Sequence, residues 1–237
     1  MKTILFLFSV LGLFLILVAQ TERGEKSMVM NQYIDLKEIK IEKNSDLFQI
    51  DTLDNEPILI LKDNMYNQDI DSFTGKIIDD VRGKVLLFGE EKRDYTMTVD
   101  MKFLGAHIDL EGAGWFGIVI RAQDCDNYEV VWFMPGGTEG SNTVAYVPVA
   151  HGIVPWWTEA YAQQEKGDIF IPQNDWFTVR ADVIGEQFSV YVNDQFTVEK
   201  KLTYYLQYGR PGLFVGTATD AAFRRIQMRD RDVPDGD

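Results

Sequence analysis

The chain has 237 residues, 46% hydrophobic and 25% charged, enough for one substantial core and too well balanced for a mostly disordered polypeptide. Its 37 Asp+Glu against 23 Lys+Arg give a formal charge of −14, which repels phosphate backbones and anionic lipid and argues against a nucleic-acid binder or a membrane-adsorbed protein. The single cysteine, Cys125, excludes an internal disulfide or a thiolate cluster, and two histidines, His107 and His151, leave little for a His-rich metal site.

Lys2 precedes an apolar run from Ile4 to Val18 broken only by Ser9 and Gly12. That is signal-peptide length, short of the roughly 20 residues a spanning helix needs. Residues 1–19 are therefore expected to be a signal peptide cleaved after Ala19, with an uncleaved N-terminal anchor as the alternative. No cysteine follows the run to carry a lipid, so the expected location is secreted or periplasmic and not that of a lipoprotein. Residues 20–32 are polar and aperiodic and read as a tether. Residues 33–229 read as a single β-sandwich domain and 230–237 as a charged tail.

Within the body, strands are expected at Leu47–Asp51, Ile58–Leu61, Lys76–Asp79 and Val85–Phe88. Tyr95 to Phe103 follows, apolar at every odd position and polar at every even one, the pattern of a strand with one buried face. Further strands are expected at Trp115–Ala122, Tyr128–Met134, Val144–Pro148 and Asp168–Ile171, with a short helix at Trp156–Gln164. Trp176–Val183 and Phe188–Val192 alternate again, separated by the turn Ile184-Gly185-Glu186-Gln187 and followed by the turn Asn193-Asp194. Phe196–Glu199, Gly212–Thr217 and Phe223–Met228 complete the set. So many short strands without long helices point to an all-β, antiparallel two-sheet sandwich, which Ile34 to Asp80 is expected to close.

The order Asp94 to Phe103, Gly114-Trp115-Phe116-Gly117-Ile118-Val119-Ile120-Arg121, Asn127-Tyr128-Glu129-Val130-Val131, Trp176-Phe177-Thr178-Val179-Arg180, Val190-Tyr191-Val192-Asn193 and Gly209 to Gly216 leading into Ala222-Phe223-Arg224-Arg225-Ile226 resembles the concanavalin A-like lectin/glucanase jelly roll. The laminin-G-like and 3-keto-disaccharide hydrolase-like domains are the nearest in strand order. The resemblance spans roughly Asp94 to Met228 and implies a jelly-roll sandwich with glycan binding or glycan processing in an exported protein.

Sugars stack their C–H faces on rings and need fixed polar partners for their hydroxyls. The segment Asn142 to Tyr161 is aromatic and loop-like, and it holds Tyr146, His151 and the adjacent Trp156 and Trp157. Two successive side chains of an extended segment point to opposite faces, so one of the two tryptophans is a candidate exposed platform. Phe116, Ile118 and Ile120 are expected to face the core, which puts Arg121 on the other face. Across the expected turn Asp124-Cys125-Asp126-Asn127, Glu129 can meet Arg121, either as a cross-strand ion pair or as a clamp for sugar hydroxyls. Arg180 and Asn193 belong to the same polar-face class. Arg121, Glu129, Tyr146, His151, Trp156 and Trp157 are thus the candidate ligand residues. If the protein is an enzyme, Glu129, His151 or Asp124 is the candidate acid/base. A glucanase-like acid triplet has only a weak echo in His107-Ile108-Asp109-Leu110-Glu111. No cofactor is expected beyond calcium, for which Asp124 to Asn127, or Asp63-Asn64 with Asp69 and Asp71, supply hard oxygens. Cys125 reads as an inert thiol. The leading expectation is an exported, non-catalytic module that binds a polysaccharide or oligosaccharide. A carbohydrate-active hydrolase and a domain that binds a protein partner are the alternatives.

Overall fold

The computed structural model describes residues 32–36, 39, 48–62, 68–70, 77–79, 83–106, 114–135, 142–152, 163–166, 169–203, 207–216 and 218–231. All belong to the second of the chain's two units, Gln32–Asp237. The expected signal peptide and tether, through residue 31, and the tail from residue 232 lie outside the described residues, as do His107, Trp156, Trp157, Asp63, Asn64 and Asp71.

The strands in chain order are β1 (Gln32–Tyr33), β2 (Phe48–Leu53), β3 (Glu56–Leu61), β4 (Gln68–Ile70), β5 (Ile77–Asp79), β6 (Lys84–Leu87), β7 (Tyr95–Ala106), β8 (Phe116–Ala122), β9 (Tyr128–Met134), β10 (Thr143–Val149), β11 (Gln163–Lys166), β12 (Trp176–Ile184), β13 (Gln187–Val192), β14 (Gln195–Lys201), β15 (Arg210–Val215) and β16 (Thr219–Asp230). They form a large antiparallel sheet in the order β14-β13-β12-β7-β16-β3-β2, with β1 also on β16. A second sheet runs β11-β10-β9-β8-β15-β6, and β4 and β5 pair by themselves. The fold is an all-β two-sheet sandwich of the jelly-roll kind.

Alternation explains how the sheets stack. On β7 the odd residues Tyr95, Met97, Val99, Met101 and Phe103 enter the core, as do Phe177, Val179, Ala181 and Val183 on β12. From the smaller sheet Phe116, Ile118, Ile120, Val131 and Phe133 meet them. Phe177 lies edge-on to Phe116 at 5.8 Å and to Phe133 at 6.0 Å between ring centroids. Burying each such ring stabilises the fold by about 1.5–3 kcal/mol relative to exposure.

The smaller sheet is buried on both faces. Val119, Tyr128, Val130, Trp132, Ala145, Val147 and Phe214 form a separate apolar cluster on its outer side, where Trp115 stacks on Trp132 at 4.7 Å. Strands β8, β9 and β10 therefore show no exposed position at all.

Two expectations need correction. Ile169 to Ile171 is not a strand. Ile169 and Ile171 are buried, but the Ile171 amide donates to the Asn142 side-chain oxygen at 2.9 Å instead of joining a ladder. The short helix expected at Trp156–Gln164 fails at its end, because Gln163 and Gln164 pair with Tyr146 and Ala145 as part of β11. The rest of that segment lies outside the described residues.

Candidate functional site

Three of the candidate residues come together, but inside the sandwich. Opposite β15, Arg210 pairs with Ala122 and Gly212 with Val119, so Ile120 and Arg121 together face the single residue Pro211. This bulge puts Arg121 in the left-handed region, at φ 45°. An inserted residue re-aims the side chain that follows. Arg121 consequently turns into the space between the sheets instead of the outer face that strict alternation assigns to it. Its Nε donates to the Arg93 carbonyl at 2.9 Å, its Nη2 reaches the same carbonyl, and Asp94 Oδ1 lies 3.4 Å away.

Glu129 does lie on the opposite face to Tyr128, Val130 and Trp132, and that face is the core. Arg121 and Glu129 are each 1% exposed. The Tyr146 hydroxyl is hydrogen bonded to the Glu129 side chain, accepts the Thr203 amide at 2.6 Å and sits 3.0 Å from the Thr203 hydroxyl. The Tyr95 hydroxyl accepts the Arg121 amide at 3.4 Å. Burial first, then the negative charge of Glu129, pushes the Tyr146 phenol well above its ordinary range, and burial does the same to Tyr95. Burial works against the charge of Arg121, which Tyr95, Asp94 and Glu129 favour. Because Tyr95 and Asp94 precede or open β7 while Glu129 and Tyr146 sit on β9 and β10, this polar cluster fastens the two sheets to each other.

His151 stands apart, exposed in a turn at φ 54°. Its amide donates to the Asn127 side chain at 3.1 Å, and the Gly152 amide donates to the Asp126 carbonyl at 2.8 Å. Asp124 accepts the Asp126 amide at 2.8 Å and the Asn127 side-chain amide at 2.8 Å, which closes the β8–β9 turn. Partial burial opposes the Asp124 charge, but these hydrogen bonds and nearby His151 hold its carboxyl below the ordinary value.

The outer face of the large sheet is chemically rich and solvent-accessible along β12 to β14. At β3 and β16 it buries Ile58, Ile60 and Ala222, against which Trp176 and Leu104 pack. Register sets side chains there in rows across strands far apart in sequence. Tyr191 pairs with Phe196 on one side and Arg180 on the other, and Arg180 pairs in turn with Thr98. Thr178, Asp100 and Arg224 form a second row, and Trp176, Lys102 and Ala222 a third. The Arg180 guanidinium lies 3.9 Å from the centre of the Tyr191 ring, and that of Arg224 lies 4.1 Å from the Trp176 ring. Such cation–π contacts set a guanidinium against one face of each ring. Phe196, 57% exposed, meets Tyr191 edge-on at 5.7 Å.

Carboxylates tie the rows together. Asp100 accepts the Thr178 hydroxyl at 2.7 Å and contacts Arg224 and Arg225 at 3.4 Å each. Glu56 bridges the same two arginines, 3.1 Å from Arg224, and its hydrogen bond from Arg225 holds its carboxyl below the ordinary value. Asp182 accepts Thr96 and Arg231 at 2.6 Å each. The result is a face of aromatic rings set among donors and acceptors, the chemistry that a sugar's C–H faces and hydroxyls require.

A scan against protein families finds no match, and neither does a search of curated proteins. Solved structures do share the fold. The carbohydrate-binding module CBM66 from Bacillus subtilis is similar at TM-score 0.53 and 14% identity, covering 77% of this chain and 92% of that one. A candidate glycosyl hydrolase from Parabacteroides distasonis is similar at TM-score 0.50 and 13% identity, over 85% of this chain and all of that one. Chicken galectin 2 aligns at TM-score 0.45 and 12% identity, over 60% of this chain and 96% of that one. At these identities the likeness is one of fold, a two-sheet β-sandwich.

Sequence reasoning found Arg121, Glu129 and Tyr146 as a group and missed their burial. It named Arg180 but not Trp176, Tyr191, Phe196, Asp100 or Arg224 as its neighbours. The available signal was the run of polar even positions on β7 and β12, which marks an open face without revealing that β7 lies between β12 and β16.

Proposed function

We propose that the chain is an exported glycan-binding module of the jelly-roll kind, and that its ligand lies across the outer face of the large sheet. The observation that carries this reading is the pair of rings Phe196 and Tyr191 beside Arg180, Asp182 and Asp100 on the solvent-accessible part of this face. The fold shared with a carbohydrate-binding module supports it. Binding is favoured over hydrolysis because Glu129 is buried against Arg121 and Tyr146 rather than facing a cleft. Trp156 and Trp157 remain in the proposal as a second stacking platform.

The test is native-gel retardation of the protein across a panel of soluble polysaccharides, followed by measurement of chain length. Retardation without shortening is expected, with Tyr191→Ala and Phe196→Ala each weakening it about tenfold, the loss typical of an aromatic anchor. Retardation lost in Trp156→Ala or Trp157→Ala but unchanged in the sheet variants moves the site to the loop. Shortened chains replace the binding reading with a hydrolase.

A further inference from the structure

The outer face of the large sheet differs in charge from the protein that carries it. Five of the chain's ten arginines belong to it. Arg180 is on β12, Arg224, Arg225 and Arg229 are on β16, and Arg231 follows directly; Lys102 on β7 joins them. The same three strands contribute Asp100, Asp182 and Asp220, with Asp51 on β2, Glu56 on β3 and Glu199 on β14 at the flanks. Six cations are matched by six carboxylates here, so this face is neutral while the whole chain carries −14.

These cations are not equally engaged. Arg224 and Arg225 share Glu56 and Asp100, and Arg231 donates to Asp182. Arg180 makes no hydrogen bond among the described residues. Its Nη1 stays 3.9 Å from Asp182, and its Nε is buried without an acceptor. Lys102 only overhangs Trp176, 5.9 Å from the ring centre. Arg229, exposed, pairs in register with Thr96, beside the Thr98 that faces Arg180. Arg180 and Arg229 thus flank β7 from its two neighbouring strands, about 12 Å apart at the strand spacing and residue rise. Guanidinium groups match the planar two-oxygen edge of a carboxylate, which lysine or a neutral amide cannot reproduce.

Resting on the glycan reading above, we infer that the ligand is an acidic polysaccharide, one bearing uronate carboxylates spaced along the chain. Its sugar rings lie on Phe196 and Tyr191, and its carboxylates meet Arg180, Arg229 and Lys102. A nucleic acid fits less well, because its dense phosphates would meet the surrounding acidic surface. The acidic surface of a second copy is the competing occupant of like charge.

The experiment compares retardation of the protein by polygalacturonate, by a neutral glucan and by single-stranded DNA, at low and high NaCl, together with sedimentation of the protein alone. Polygalacturonate is expected to retard it most, with affinity falling at least tenfold between 50 and about 500 mM salt as the ion pairs are screened. Arg180→Gln and Arg229→Gln should each weaken polygalacturonate binding about tenfold. Lys84→Gln, a change on β6 of the other sheet, should leave it unaltered, and unchanged melting temperatures show that the variants fold. Equal, salt-insensitive retardation by the neutral glucan, unaffected by Arg180→Gln, overturns the acidic ligand and leaves the glycan reading standing. No retardation by any polysaccharide removes both. Binding to DNA, or self-association, that Arg180→Gln abolishes gives this face a different partner and also overturns the inference.

Discussion

Arg121 carries a large electrostatic stake in the fold. A guanidinium at 1% exposure is tolerated because Glu129, Asp94 and the Arg93 carbonyl surround it. Removing one partner of such a group leaves an uncompensated buried charge, which costs more than replacing both partners. Glu129→Leu is therefore expected to destabilise the protein by about 3–5 kcal/mol in urea denaturation, and the double variant Arg121→Met/Glu129→Leu by clearly less. A single variant within about 1 kcal/mol of wild type would mean that water or another group already neutralises Arg121. Tyr146→Phe strands the Thr203 amide and removes a donor to Glu129, so a loss of about 1–3 kcal/mol is expected. The sequence shows that Arg121 and Glu129 can meet. Where they meet depends on the bulge at Ile120 and Arg121, and nothing at those positions announces a left-handed residue, since arginine rarely takes one. The only nearby cue is Pro211 within β15, because proline inside a strand marks an edge or a bulge.

Among the elements, legibility follows solvent. Strands β7, β12 and β13 each have one open face, and their burial alternates residue by residue. Their limits and inward faces can be read directly from period-2 alternation. Strands β8 to β10 are covered on both sides, so apolar residues fill both faces; on β8 the larger Phe116, Ile118 and Ile120 still mark the face that meets the large sheet, as the sequence indicates. Close packing there also explains Gly117. A Cβ on it would stand 2.1 Å from the Val131 carbonyl oxygen of the neighbouring strand. Gly185, by contrast, has open space around it and only a positive φ of 57° to satisfy. Gly117→Ala must move backbone in a central strand and should cost about 3 kcal/mol or more, the upper end of overpacking. Gly185→Ala should cost only about 1–2 kcal/mol, the strain of a left-handed alanine. Thermal melts of the two variants separate the mechanisms, and the reverse ranking would mean that β8 is less tightly held than its packing implies. The cross-strand rows of the outer face were beyond sequence reading for a topological reason. Arg180, Thr98 and Gln227 become neighbours only because β7 is inserted between β12 and β16.

On the scale of the whole molecule, two effects of pH oppose each other. With 37 acidic side chains against 23 basic ones, the neutral-pH chain repels itself, and protonating carboxylates of ordinary pKa between pH 7 and 5 relieves that repulsion. Glu56 and Asp124 behave differently, because the Arg225 hydrogen bond and the hydrogen bonds of the β8–β9 turn hold them below their ordinary values of 4.5 and 3.8. A carboxyl depressed in the folded state contributes stability that is fully present above its unfolded pKa and is lost as pH falls through its folded pKa. These two contributions are therefore intact at pH 5 and disappear below about 4, while the 23 basic groups are left without partners. The melting temperature is expected to hold level or rise modestly from pH 7 to 5 and then fall steeply below 4. Added salt should flatten the first limb by screening the self-repulsion. Glu56→Gln and Asp124→Asn should each make the acid limb shallower than in wild type, since a neutral side chain has no proton to gain. A melting temperature that kept rising down to pH 3 in wild type would show that self-repulsion, not these paired carboxylates, governs stability throughout.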